Sequence, residues 1–136
     1  MDKIIQNAMK TPDGTIITSR SVHDYVEYQG YMVDGGGEYF RYGCPDGCND
    51  KFEPLFLMES DSLEIKKNKL IWGTYGKDGK SSLKWVKLID CETDHLRAIS
   101  RQLNRLQIHK YAIDSILEDR NLLMRVKKIK KLKNGI

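Results

Sequence analysis

Trp72, Tyr75 and Trp85 share a short stretch with Thr74, Lys77, Lys80 and Lys84, where residues 70–94 read as two apolar, alternating runs around a Gly76-Lys77-Asp78-Gly79 turn. A hairpin needs the turn and one apolar face. It does not need three aromatic rings interleaved with cations. Flat rings beside fixed positive charges are how proteins hold a planar anionic ligand such as a nucleotide. The same residues also fit an ordinary hairpin, with rings in the core and lysines in water.

A second concentration of chemistry is Ser19-Arg20-Ser21-Val22-His23-Asp24-Tyr25. Arg20 suits phosphate, because a guanidinium grips two of its oxygens at once; a local Arg–Asp surface pair is the plainer alternative. His23 and Asp24 are neighbours on an expected strand, so they face opposite sides and cannot relay a proton between them. Gly35-Gly36-Gly37 has no Gly-Lys-Ser/Thr after it and is neither a P-loop nor a dinucleotide fingerprint; it permits a sharp bend or a close backbone approach. Cys44, Cys48, Cys91 and His95 offer a zinc set on paper, against which stand the loose spacing and a free-thiol reading, with a Cys91 thiolate favoured at a helix start. Asp114, Glu118 and Asp119 lie among Arg105, Lys110 and Arg120 at ordinary helix-surface spacing. No nucleophile has a partner in local reach, so the residues make no case for catalysis and none for a cofactor.

The net charge of +4 is unevenly placed. After Asp119 there is no acid, and Arg120, Arg125, Lys127, Lys128, Lys130, Lys131 and Lys133 supply seven cations, whereas residues 1–119 carry 16 basic against 19 acidic side chains. A basic tail suits a helix C-terminus, but this one is longer than termination needs and points also to a polyanion such as nucleic acid. No apolar run approaches the ~20 residues that span a bilayer. The charged N-terminus is no signal peptide, and three cysteines without a secretion signal indicate a reducing cytoplasm.

Positioning these residues requires an α+β chain: an antiparallel β-meander over residues 1–92, then a helical segment with a basic tail over 93–136. Residues 2–10 read as a short helical arm, with Ile4, Ile5, Ala8 and Met9 on one side. Thr11-Pro12-Asp13-Gly14 is a turn. Residues 15–19 and 22–28 read as strands, and Gln29-Gly30 turns the second into Tyr31-Met32-Val33-Asp34. An edge strand or short helical turn follows at 38–42, a surface loop at 43–50, and a Pro54-limited edge strand at 52–58. Residues 60–68 are ambiguous and are read as strand. From Thr93 the period changes: Leu96, Ile99, Leu103 and Leu106 are spaced 3-4-3, followed by Ile113 and Leu117, with Thr93 or Asp94 as N-cap. A helix running to about Lys131 exceeds what one small domain can cover. Either it breaks near residues 107–110 or it packs on another subunit, and the seam favours a homo-oligomer with paired helices. Lys110 and Arg120 interrupt the seam; an unbroken helix would aim Arg120 at an anion, and a break would shift the register instead.

Several blocks of this sequence resemble a family of small bacteriophage proteins, the first-described anti-Thoeris sponges. They are Thr11-Pro12-Asp13-Gly14-Thr15, Ser19-Arg20-Ser21, His23-Asp24-Tyr25, Tyr31-Met32-Val33-Asp34-Gly35-Gly36 with Tyr39 and Arg41, Trp72-Gly73-Thr74-Tyr75-Gly76-Lys77-Asp78-Gly79, Trp85-Val86, and Thr93-Asp94-His95-Leu96 with Ile99. The resemblance covers most of residues 11–99. It implies non-catalytic capture of a cyclic ADP-ribose isomer made by a bacterial TIR-domain enzyme, in the host bacterial cytoplasm. It also implies dimers or hexamers with the ligand near the subunit interface, an adenine stacked on an aromatic ring, and arginines on the pyrophosphate. Matched by motif, the arginines are Arg20, Arg41 and Arg120, and the candidate ligand-binding set is completed by His23, Trp72, Tyr75, Trp85, Asp94 and His95. Val22 stands where the family often has a basic residue, and the Cys44–Cys48 loop looks like an insertion. A basic-helix nucleic-acid binder is the rival expectation; a membrane partner is not expected.

Overall fold

The protein is described by a computed structural model covering residues 2–46, 51–76, 80–103 and 108–134, the last four of these by backbone alone. Its architecture is α+β: small antiparallel sheets in the first two thirds, then helices, ending in one long helix.

Residues 2–10, expected as a helical arm, are instead two short strands, β1 (Ile4–Gln6) and β2 (Ala8–Lys10), broken at Asn7. The reason is strand pairing, with the strand across the Thr11–Gly14 turn and with segments some fifty residues on, which a helical pattern of nine residues cannot reveal. β2 pairs with β3 (Ile16–Thr18) on one side and with β7 (Glu53–Pro54) on the other, while β1 pairs with β8 (Leu57–Met58). At the break two buried amides tie the chain together. Gln6 Nε2 donates to the carbonyls of Leu55 and Lys69, and its Oε1 accepts from the Ile71 N–H. Asn7 Nδ2 donates to the carbonyls of Asp34, Gly36 and Tyr39.

β4 (Val26–Tyr28), β5 (Tyr31–Asp34) and β6 (Arg41–Gly43) form a sequential meander. The Gln29-Gly30 turn is of the mirror-image type that fits strand twist, with φ of 51° and 85° at its central residues. Residues 22–25, expected as strand, form a turn, so His23 and Asp24 are not on opposite faces of a sheet. Residues 60–68, read as strand, contain helix α1 (Leu63–Lys69): Ser62 caps it by accepting from the Ile65 N–H, and three lysines sit in its last turn. The expected hairpin is present as β9 (Ile71–Thr74) paired with β10 (Lys84–Lys87), in the register Trp85 to Gly73 and Val86 to Trp72; Lys77 lies outside the described residues.

After a 3-10 turn at Leu88–Asp90, helix α2 (Thr93–Gln102) stops, and α3 (Ile108–Asn134) begins after residues 104–107, which are not described. The helix therefore does not run on: α2 ends against an extended Leu103 and α3 starts at Ile108, close to the break expected near 107–110. Leu96 and Ile99 of α2 and Ala112, Ile113 and Ile116 of α3 are buried with Leu57, Leu70, Leu88 and Cys91 in the main core. Leu106 of the expected seam lies outside the described residues. The break resolves both seam violations: Lys110 Nζ donates to Ser100, and Arg120 turns back onto the chain. No helix among the described residues is long and apolar enough to cross a membrane.

Candidate functional site

A cleft of about 290 Å3 opens where β1, Asn7 and the end of β3 meet the Gly36-Gly37 bend, Ile71 of β9, Trp85 of β10 and His109 of α3. Its polar lining is supplied by Gln6, Asn7, Thr18, Ser19, Arg20 and His109, with no carboxylate among the lining residues. The Arg20 guanidinium carbon stands 5.5 Å from the Trp85 ring centroid, the geometry of a cation–π stack. Asp24 reaches Arg20 through its backbone, accepting from the Arg20 N–H at 2.8 Å. The guanidinium has no ion-pair partner among the described residues. A fixed cation beside a flat ring is thus present, although at a different pairing from the one expected inside the hairpin.

Local sequence explains how this wall is built. Ser19 Oγ donates to the Asp24 carbonyl at 2.7 Å and accepts from the Gly36 N–H at 2.9 Å, which folds the 19–24 turn against the glycine bend. Gly36 adopts φ of 50°, and a Cβ there would collide with the Ser21 backbone. Thr18 Oγ1 donates to the Asn7 carbonyl. Both hydroxyls are therefore committed to structure, and the cleft offers no activated nucleophile among the described residues.

His109 Nε2 lies 3.0 Å from the Ile71 carbonyl, which can only accept, so Nε2 carries the proton. Burial pushes the His109 pKa below its usual value, making the ring neutral at pH 7 and leaving Nδ1 as an acceptor. Trp72 meets it edge-on at 5.9 Å. Asn7 is fixed in orientation by its three carbonyl partners, and its Oδ1 is buried without a hydrogen-bond partner among the described residues.

The other expected site residues lie elsewhere. Arg41 is largely exposed and 3.7 Å from Asp34. Arg120 gives its donors to Thr93 Oγ1 and to the carbonyls of Ile89 and Cys91, fastening α3 to the start of α2 instead of meeting an anion. Asp94 is almost fully exposed beside Arg97. Tyr75 and His23 are exposed, and His95 is half-buried. None of these six lines the cleft. Comparison with protein families, curated proteins and solved structures finds no match to this chain.

Of the cysteines, Cys91 is a free thiol and Cys44 is not, while Cys48 lies outside the described residues. Cys44 is disulfide-bonded, which removes it from any zinc set. Cys91 is free but buried, and burial raises its pKa, so the thiolate expected at the helix start is disfavoured. No cluster of three or more metal-binding side chains occurs among the described residues.

Sequence reasoning found Arg20 and Trp85 and noted the glycine bend, but it missed Asn7 and His109. Nothing local marks either one: Asn7 sits in a segment with a helical pattern, and His109 beside a helix break.

Proposed function

We propose that this chain is a non-catalytic binder of a nucleotide-class ligand, held at the Arg20–Trp85 cleft. In its specific form, suggested by the resemblance to anti-Thoeris sponges, the ligand is a cyclic ADP-ribose isomer, sequestered in the host bacterial cytoplasm to silence TIR-based defence. The observation that carries the reading is the Arg20 guanidinium stacked on Trp85 in a cleft without carboxylates. The guanidinium is available for phosphate, the ring edge and the Gly36-Gly37 backbone for a flat base, and His109 Nδ1 for a donor on the ligand. A volume of about 290 Å3 accommodates a nucleoside-sized part of the ligand and leaves the phosphates at the mouth with Arg20.

The test is to incubate the purified chain with the products of an activated TIR enzyme, remove free ligand, denature the protein by heat, and identify what is released. An intact purine nucleotide supports the reading; a degraded one makes the protein an enzyme, and an empty supernatant overturns capture. Arg20→Ala should weaken binding by roughly thirtyfold, the value of one charge-assisted contact of about 2 kcal/mol. Trp85→Ala should weaken it too, by about 1 kcal/mol, because the ring that positions the Arg20 guanidinium is lost. Arg120→Ala should leave ligand affinity unchanged in calorimetry, since its donors serve the fold.

A second reading is favoured by one observation: residues 121–130 are all exposed and include Arg125, Lys127, Lys128 and Lys130. A nucleic-acid binder using them would lose affinity steeply with salt, and would lose it wholly on deletion of residues 125–136. Ligand capture at the cleft would survive that deletion.

A further inference from the structure

The polar side chains lining the cleft divide by what they still have to offer. Most of their donors are spent inside the protein. Gln6 Nε2 is used on the carbonyls of Leu55 and Lys69, and Asn7 Nδ2 on those of Asp34, Gly36 and Tyr39. The Thr18 and Ser19 hydroxyls donate to the carbonyls of Asn7 and Asp24. His109 gives its Nε2 proton to the Ile71 carbonyl, and the Ile71 N–H is taken in turn by Gln6 Oε1. Among the described side chains of the lining, Arg20 alone keeps donors to offer. Two acceptors are left over. Asn7 is 2% exposed, and its Oδ1 has no hydrogen-bond partner among the described residues. His109 Nδ1 is the polar atom of its ring that the bond to Ile71 leaves unused.

We infer that His109, with Asn7 beside it in the lining, is the specificity-determining residue of this cleft, selecting a nucleobase that carries an exocyclic amine over one that carries an oxo group in the same place. The inference rests on nucleotide capture at the cleft and adds which base is captured. An amine on an aromatic ring only donates, because its lone pair is drawn into the ring. An oxo group only accepts, so it sets lone pairs against lone pairs and leaves the acceptors of the cleft unpaired, which costs free energy. Ile4, Ile5 and Ile71 supply the apolar surface that a flat base needs. The selection requires a neutral imidazole, and the surroundings supply one. His109 is in the first turn of α3, where the positive end of the helix dipole opposes an imidazolium. Arg20 is the one other charged side chain lining the cleft, and no carboxylate there draws a proton onto the ring. Protonation turns Nδ1 from acceptor into donor, so acidification reverses the selection.

Isothermal titration calorimetry of the full chain with AMP, IMP, CMP and UMP tests it. At about pH 7.5 AMP should bind about tenfold more tightly than IMP, and CMP than UMP. On acidification to about pH 5 the ratio of AMP to IMP affinity should fall, as protonated His109 turns a donor towards the oxo group. The phosphate titrates alike in both nucleotides and cancels from the ratio. His109→Phe should bring the ratio near unity at the higher pH, and His109→Gln, which does not titrate, should make it independent of pH. Circular dichroism melts confirm that each variant folds. Equal affinities for AMP and IMP, or a ratio in the unaltered chain that ignores pH, would overturn the inference while leaving nucleotide capture in place. Affinity that is lost with 2′-deoxy-AMP and not with IMP would overturn it too, by assigning the donor to the sugar. Failure of all four nucleotides to bind would overturn capture itself, and this inference with it.

Discussion

Asn7 is held in place by donating its one amide nitrogen towards three carbonyls, at 2.8, 3.2 and 3.2 Å. Asn7→Asp replaces that donor by an oxygen facing three others, inside a site where Asn7 is 2% exposed. A loss of about 3 kcal/mol or more is expected, read as a lowered denaturant midpoint. His109 makes a pH prediction of known sign. Its folded-state pKa lies below the unfolded value because burial disfavours the charged ring. The unfolded chain therefore takes up the proton first as pH falls below about 6.5, and stability declines from there until the folded ring also protonates. A His109→Gln variant should flatten this part of the profile of melting temperature against pH. It should leave intact the steeper loss at lower pH, where carboxylates such as Asp13, depressed by its bonds to Tyr28 and Thr11, are titrated.

Between elements, the connection between α1 and α3 rests on Lys67, a buried ammonium paired with Asp119 and reached also by Glu64 at 3.4 Å. Asp119→Asn leaves that charge with one exposed partner and should cost about 2 kcal/mol, whereas Lys67→Met removes the charge itself and should cost less. Urea titration of the two variants distinguishes a demanded partner from a merely favourable one. The helical reading of residues 2–10 failed because the strands there are fixed by pairing: β1 has its partner some fifty residues away, and β2 lies between distant β7 and its hairpin neighbour β3. The hairpins closed by Gln29-Gly30 and by the β9–β10 connection were legible because turn chemistry and alternation are local. Residues 60–68 misled because Leu63 and Ile65 alternate as in a strand, yet both are exposed; Ser62 as N-cap and the lysines in the last turn were the better guide.

For the whole molecule, the separation of Arg20, Arg41 and Arg120 is the main revision to the sequence reading. A site with three guanidiniums on one pyrophosphate does not form within a single chain: Arg41 is near Asp34, Arg120 is spent on carbonyls, and Arg20 alone stands in the cleft. The affinity of one chain for a nucleotide should therefore depend on one cation, and the salt dependence of binding should show the loss of about one ion contact, measurable by titration at several salt concentrations. Basic charge and exposed apolar surface coincide on α3 instead.

Composition, turn residues and a change of hydrophobic period were enough to establish an α+β chain with an antiparallel first part and a helical, basic end. They could do so because each depends on neighbours within a few residues. Which guanidinium meets which ring, that Asn7 and His109 stand together at one cleft, and that Arg120 faces inward were decided only by tertiary structure. Those outcomes depend on contacts between segments tens of residues apart, whose spacing along the chain carries no trace of their distance in space.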